Sequence, residues 1–138
     1  MKYLMFVIAA ALVGATAAAA IAGPPGHVNV TIRHQMHHCH AWAAGTGSYA
    51  AALNLSVARN GTLTITNNDV MPHRLIQNAG PTVGMSSKAS MSHPGAKFSM
   101  TFSHPGVYRF VTKAGDDYTK GIRTTGEDNV LTMKVTVT

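Results

Sequence analysis

Cysteine is almost absent from this sequence: the 138 residues include a single one, Cys39. One cysteine cannot form an intrachain disulfide, and it excludes both a Cys-x-x-Cys zinc site and the attachment motif of c-type haem. Charged residues are also few, at 12%, whereas hydrophobic residues make up 46%. A chain this apolar is not disordered, and its length fits one domain. The composition therefore predicts a single globular domain without a disulfide framework.

The apolar residues are concentrated at the start of the chain. Met1 and Lys2 precede a hydrophobic run at Tyr3–Val13, which is followed by an alanine-rich stretch. This order is typical of a secretory signal peptide, and the run is a poor candidate for a membrane span, which needs about 20 apolar residues. An uncleaved membrane anchor is the alternative. We expect cleavage after Ala22, with Ala20 as the alternative.

Cleavage divides the chain into a signal peptide, residues 1–22, and one exported domain, residues 23–138. The domain is then expected in the periplasm or outside the cell, with no stable membrane span. Without Lys2 it has ten Lys and Arg residues against five Asp and Glu, a net charge of +5. Because the positive charges are scattered and aromatic residues are few, no nucleic-acid partner is predicted. The sequence leaves the oligomeric state open.

Hydrophobic and polar residues alternate along most of the predicted domain, which is the pattern of half-buried strands. Asn60-Gly61 and His104-Pro105-Gly106 are typical turn sequences. Seven short strands are predicted, at Val28–Ile32, Leu53–Val57, Leu63–Ile65, Arg74–Gln77, Phe98–Phe102, Val107–Thr112 and Val130–Val137. The glycine-containing segment Ala41–Ala52 is predicted to be a loop. Since no stretch of the domain has helical periodicity, the predicted fold class is all-β, a Greek-key β-sandwich.

Side chains that bind metals are concentrated after the first predicted strand. Residues 34–42 read His-Gln-Met-His-His-Cys-His-Ala-Trp, and five of the eight histidines lie between residues 27 and 40. Imidazole with thiolate suits copper or zinc, and thioether favours Cu(I). An unbroken strand would place His38 and His40 on one face and Cys39 on the other, whereas a bulge would reverse this order. The segment predicts a metal site, and the alternative is a surface histidine tract that binds metals loosely.

A second group of polar residues follows the strand at Leu63–Ile65. The sequence Asn67-Asn68-Asp69-Val70-Met71-Pro72-His73 resembles the Asn-Asn-x-x-x-Pro-His segment of the cupredoxins, a family of small copper proteins, and that of plastocyanin most closely. In that family the histidine is the first copper ligand, so the resemblance implies this role for His73. Asn and Asp side chains are expected to close the loop by hydrogen bonds, and Pro72 to restrict the residue before it. The resemblance implies a cupredoxin-like sandwich.

The resemblance continues later in the chain and then breaks off. Pro105-Gly106-Val107-Tyr108-Arg109-Phe110 is similar to the Pro-Gly-x-Tyr-x-Phe entry into the last ligand loop of that family. Cupredoxins continue with a cysteine, followed by histidine and methionine. Here the cysteine position is Thr112, and residues 113–118 contain no Cys, His or Met. An ordinary blue copper site, with a thiolate from this loop, therefore cannot form.

We therefore predict a rearranged copper site made of Cys39, His40, His73 and Asp117. Cys39 is the one thiolate in the chain, and Asp117 lies near the position of the family's second histidine. For Asp117 the alternative is a solvated turn, which is common for aspartate. This donor set is harder than Cys, two His and Met, and favours a tetragonal site more open to water. Further ligands left open by the sequence are His34, His37, His38, Met71 and Glu127.

The function implied is that of an exported copper-binding protein in copper handling or one-electron transfer, with a redox or copper-delivery protein as partner. Loss of the cysteine at position 112 disfavours fast electron transfer and so favours copper handling. The alternative is a β-sandwich binding or adhesion module without metal, whose copper site has decayed. Cys39 beside histidines could form a nucleophilic pair, but no oxyanion motif accompanies it, so no enzymatic activity is predicted. The sequence does not separate copper from zinc.

Overall fold

The computed structural model describes residues 22–35, 40–85, 89–114 and 130–138. Within these ranges every regular element is a strand. The strands are β1 (His27–His34), β2 (His40–Ala44), β3 (Ala52–Val57), β4 (Thr62–Asn67), β5 (His73–Ala79), β6 (Ser90–Met91), β7 (Lys97–Thr101), β8 (Gly106–Ala114) and β9 (Val130–Val137). The described residues include no helix long and apolar enough to cross a membrane. The predicted all-β class is confirmed.

The strands form two mixed sheets. The first sheet has the order β2-β1-β4-β7, and the second has the order β3-β9-β8-β5-β6. Strands β1 and β4 pair in parallel, as do β3 and β9, whereas the other neighbours are antiparallel. Because β3 and β4 are consecutive but lie in different sheets, the chain crosses from one sheet to the other, as in Greek-key sandwiches.

Alternate residues of both sheets point inward and form one hydrophobic core. The largest fully buried side chains include Trp42, Phe102, Tyr108 and Phe110. Burial of each such side chain stabilises the fold by about 1.5–3 kcal/mol. The rings of Phe102 and Tyr108 meet edge to face at 4.9 Å, and the Tyr108 hydroxyl donates a 2.6 Å hydrogen bond to the carbonyl of His104. These contacts fix the turn between β7 and β8.

The segment at residues 34–52 differs from its prediction. The unbroken strand considered for residues 34–42 does not form, because β2 returns antiparallel to β1 and pairs His40 with His34. The loop predicted at Ala41–Ala52 is also wrong at its start, since β2 extends to Ala44. Trp42 exchanges two 3.0 Å backbone hydrogen bonds with Ala50 and is fully buried. Burial of this large ring outweighs the weak strand propensity of the alanines around it.

One end of the sandwich brings together the polar motifs of the sequence. At this end β1 terminates at His34, β2 begins at His40, β4 terminates at Asn67 and β5 begins at His73. The first three strands belong to the first sheet, and β5 belongs to the second. Side chains from both sheets therefore converge at this end.

Candidate metal centre

A buried carboxylate, that of Asp69, lies at the centre of this end. Its Oδ2 atom accepts hydrogen bonds from Nδ1 of His40 and, at 3.1 Å, from Nε2 of His73. All three side chains are buried, with exposed fractions of 0% for Asp69, 1% for His40 and 0% for His73. Because β2 supplies His40 and β5 supplies His73, the carboxylate connects the two sheets.

His34 is the solvent-facing member of the group. Its Nδ1 atom lies 4.0 Å from Oδ1 of Asp69, and its side chain is 55% exposed. His34, His40 and Asp69 each place one potential ligand atom within 4.8 Å of the others. The rings of His40 and His73 meet edge to face with 5.0 Å between their centroids. These four residues, His34, His40, Asp69 and His73, form the His-Asp cluster, of which His34 is the exposed member.

Asn67 builds the loop that holds Asp69 in the interior. Its buried amide nitrogen donates hydrogen bonds to the carbonyls of Met71, at 2.8 Å, and Met91, at 3.0 Å. Its Oδ1 atom accepts a 2.9 Å bond from the Asp69 N–H, and the Met71 N–H donates to Oδ1 of Asp69 at 3.2 Å. The expectation that Asn and Asp side chains close this loop is confirmed. The loop also directs the Asp69 carboxylate toward the histidines.

The two ring nitrogens of His73 have different surroundings. Nε2 faces a carboxylate oxygen, which accepts hydrogen bonds, so the bonding pattern assigns the proton of the neutral ring to Nε2. Nδ1 is buried and has no hydrogen-bond partner in the part of the chain that the structure describes. An unpaired buried polar atom costs about 1–3 kcal/mol, and a metal ion at its lone pair would remove this cost. Metal-binding histidines typically hold a carboxylate with their other nitrogen, as His73 does.

The pKa values of the cluster follow from burial and hydrogen bonding. Burial alone raises the pKa of the Asp69 carboxyl, but the hydrogen bonds from His40, His73 and the Met71 N–H together lower it below its ordinary value of 3.8. Burial lowers the pKa of His73 below 6.5, and the hydrogen bond to Asp69 opposes this shift only in part. Asp69 is therefore ionised and His73 neutral near neutral pH, the forms in which both bind metals.

Thr112, at the position where the family resemblance places a cysteine, is also buried beside the cluster. It pairs with Leu75 on β5, while His73 pairs with Ala114 on β8. Thr112 and His73 are therefore diagonal neighbours on the inner face of the second sheet, a position in which Cα atoms lie about 7–8 Å apart. The Thr112 hydroxyl has no hydrogen-bond partner among the described residues. A neutral hydroxyl does not supply the thiolate that the family resemblance would require here.

The structure brings together two of the four predicted ligands, His40 and His73, with His34, which the sequence had left open, and with Asp69, which it had not considered as a ligand. Sequence reasoning assigned Asp69 to loop closure and missed its contact with the histidines. A signal was present, because Asp69 is the one acidic residue of the chain outside residues 116–128 and lies four positions before His73. Met71, which the sequence left open as a ligand, lies in the described loop, where its carbonyl accepts from Asn67 and its N–H donates to Asp69. The other predicted or considered ligands lie outside the described residues, and their roles stay predictions: Cys39, Asp117, His37, His38 and Glu127.

No family model and no curated protein matches this chain. Among solved structures, the purple cupredoxin from Nitrosopumilus maritimus is 21% identical, with 80% of this chain and 98% of that chain covered and a TM-score of 0.46. The plastocyanin from the fern Dryopteris crassirhizoma is 13% identical, and the match covers 80% of this chain and 99% of the plastocyanin, with a TM-score of 0.44. A cysteine protease inhibitor from Entamoeba histolytica is 10% identical, and the match covers 83% of this chain and 99% of the inhibitor, with a TM-score of 0.44. Cupredoxins are therefore among the proteins that this chain is similar to, and the likeness concerns the fold alone.

Proposed function

We propose that this protein binds copper at the His-Asp cluster and functions in copper handling or one-electron transfer. The observation that carries the proposal is the buried carboxylate of Asp69, which is held between one histidine from each sheet. Ionisable groups in an interior cost folding free energy, and they concentrate at functional sites. The buried Nδ1 atom of His73, which has no partner among the described residues, gives this cluster a lone pair that is available to bind a metal ion.

The donor set fits a copper ion. Imidazole nitrogen suits copper and zinc, and a thiolate is available one position before His40 in the sequence, at Cys39. The Asn-Asn-x-x-x-Pro-His segment that ends at His73 favours copper of the two. In this proposal His73 offers Nδ1, while Asp69 holds the opposite nitrogen of the same ring. Copper, when bound, would supply a one-electron couple.

The chain's own residues would orient the ligands and control access. Asp69 fixes the rings of His40 and His73 by hydrogen bonds to one nitrogen of each. The buried position of these rings between the two sheets excludes water from most of the site. His34, the exposed member of the cluster, would be the side from which an ion enters or leaves. Access from this one side favours copper handling over fast electron transfer.

Three parts of the proposal extend beyond the described residues. Cys39 and Asp117 would complete the ligand set, as the sequence predicts. Residues 1–22 would direct export, so that copper binding takes place in the periplasm or outside the cell. The partner would be a redox or copper-delivery protein, and the chain itself would catalyse no reaction.

A Cu(II) titration of the purified protein, followed by optical and EPR spectra, tests the proposal. We expect stoichiometric binding, a thiolate-to-copper charge-transfer band that Cys39→Ala abolishes, and strongly weakened binding in His73→Ala. His104→Ala is the matched control, because His104 is exposed and lies in the turn between β7 and β8, at the other end of the sandwich. Zn(II) should not displace the bound copper, since Cu(II) binds such ligands more tightly, and displacement by Zn(II) would indicate a zinc site. Weak binding that survives His73→Ala would contradict the proposal and indicate a loose histidine tract.

A further inference from the structure

The outer face of the second sheet carries two cations side by side. Arg109 on β8 pairs directly with Lys134 on β9, and both side chains are exposed. They line a shallow hollow of about 180 Å³ together with polar residues that include Asn54, Asn78 and Thr132. Like charges placed directly opposite each other on paired strands destabilise a sheet. This pair is therefore unfavourable for the isolated fold.

Carboxylates that could neutralise these cations are scarce around them. The sequence contains five acidic residues, and Asp69 is the one that lies in the described part of the chain. Its side chain is fully buried in the His-Asp cluster. Within the described residues, no acidic side chain on the surface thus neutralises the positive charge of Arg109 or Lys134. An anionic group from outside the described chain would remove the repulsion and bind both.

The same face also exposes apolar side chains. Ile76 is 37% exposed and Val107 is 43% exposed, and they are two of the three large hydrophobic residues exposed in the described ranges. Alternation along β5 and β8 places both on the outer side, the side of Arg109. Apolar residues flanked by arginine are characteristic of protein interfaces, in which arginine is enriched.

We propose that this face, defined by Ile76, Val107, Arg109 and Lys134, docks an acidic protein that presents carboxylates beside an apolar patch. Arginine binds carboxylate through two parallel hydrogen bonds, and lysine adds a second positive charge. A second copy of this chain fits poorly, because a symmetric contact would place these cations against themselves. Four neighbouring strands cover roughly 15 Å by 25 Å, an area at the small end of protein interfaces, so binding is transient.

The position of this face relates it to the His-Asp cluster without making it depend on copper. Strand β5 carries Ile76 on its outer side and His73 on its inner side. A partner on the outer face would therefore be separated from His73 by one layer of sheet. Because the face is built from residues outside the cluster, it can be tested with metal-free protein, and its failure would leave the copper proposal untouched.

An NMR titration with a defined peptide tests the docking proposal. The probe is a soluble peptide rich in Glu and Leu, added to the metal-free protein at moderate salt, with a Lys and Leu peptide as its counterpart. We expect amide shift changes confined to strands β5, β8 and β9 around the four residues. The double variant Arg109→Glu/Lys134→Glu should weaken binding by about tenfold or more, since the change replaces attraction by repulsion. Val107→Ser should weaken binding without any change of charge.

The matched control is Arg59→Glu/Lys97→Glu, which changes the net charge equally at sites away from this face. Comparable weakening by both double variants, or shift changes spread over every cation, would overturn the proposal in favour of non-specific charge attraction. Binding to phosphatidylglycerol vesicles in the absence of peptide binding would overturn it in favour of a membrane surface. Circular dichroism of each variant confirms that the strands are intact.

Discussion

Nε2 of His73 lies 3.1 Å from Oδ2 of Asp69, four residues earlier in the chain, and both side chains are fully buried. The same oxygen accepts the hydrogen bond from His40, which belongs to the other sheet. One carboxylate oxygen therefore orients two imidazoles and connects the sheets at the same time. Because of this double role, changes at Asp69 are expected to alter both stability and metal binding.

Replacement of Asp69 by asparagine should weaken both properties. Both oxygens of Asp69 accept hydrogen bonds, Oδ2 from the two histidines and Oδ1 from the Met71 N–H, so in either orientation the NH2 group of an asparagine would face a donor. We expect a loss of about 1–3 kcal/mol in the free energy of unfolding. Copper affinity should fall by about 10–100-fold, as is typical when the carboxylate behind a ligand histidine is removed.

Urea unfolding and copper titration of Asp69→Asn measure these two effects. His27→Gln is a suitable control, because His27 is exposed and begins β1, at the end of that strand opposite His34. An Asp69→Asn protein with the stability and the copper affinity of the original would show that the carboxylate neither supports the fold nor orients the ligands.

Stability of the metal-free protein should fall as the pH is lowered. His73 has a folded pKa below 6.5, so the unfolded chain takes up its proton first, and this contribution to stability is lost as the pH falls below 6.5. Asp69 has a folded pKa below 3.8, so its contribution is complete above 3.8 and is lost as the pH falls through the folded value. Protonation of either group thus lowers the stability of the folded protein as the pH falls.

The urea midpoint, measured with a chelator present, should therefore decrease between about pH 7 and pH 5 and decrease further below about pH 4. In His73→Gln the first decrease should become smaller, while the second remains. A midpoint that rises on acidification would contradict the assignment of a neutral, buried His73.

Much of the fold could be predicted from the sequence, because a strand with one buried face alternates hydrophobic and polar residues within its own few positions. Two strands were missed. Strand β2 contains three alanines, and its burial depends on pairing with β1 and with Ala50. Strand β6 has only two residues and is defined by its pairing with β5. In the site, the motif identified His73 and the density of donors identified His40. Asp69 was missed because its direction depends on Asn67, which bonds to Met91, 24 residues further along the chain. Local sequence patterns do not report such distant contacts.

Asn67 should accordingly be among the most sensitive residues of the loop. Asn67→Ala removes three hydrogen bonds and leaves the buried carbonyl of Met91 without its side-chain donor. At about 1 kcal/mol for each bond, the expected loss is roughly 3 kcal/mol. Asn68→Ala is the matched control, since the neighbouring Asn68 side chain is exposed and should contribute little. Thermal unfolding of the two variants compares them directly, and equal stabilities would show that the loop is held by its backbone alone.

Substitutions at Thr112 test the site by adding a possible copper ligand instead of removing one. Thr112→Val removes a buried hydroxyl that has no partner among the described residues, and we expect a gain in stability of about 1 kcal/mol. Thr112→Cys in a Cys39→Ala background restores a thiol at the position where the resemblance places one, diagonal to His73 on the same inner face. If copper binds beside His73, this variant should regain a thiolate-to-copper band that Cys39→Ala alone lacks. Failure to regain the band, in a folded protein that still binds copper, would place the ion away from the inner face of the second sheet and closer to His34.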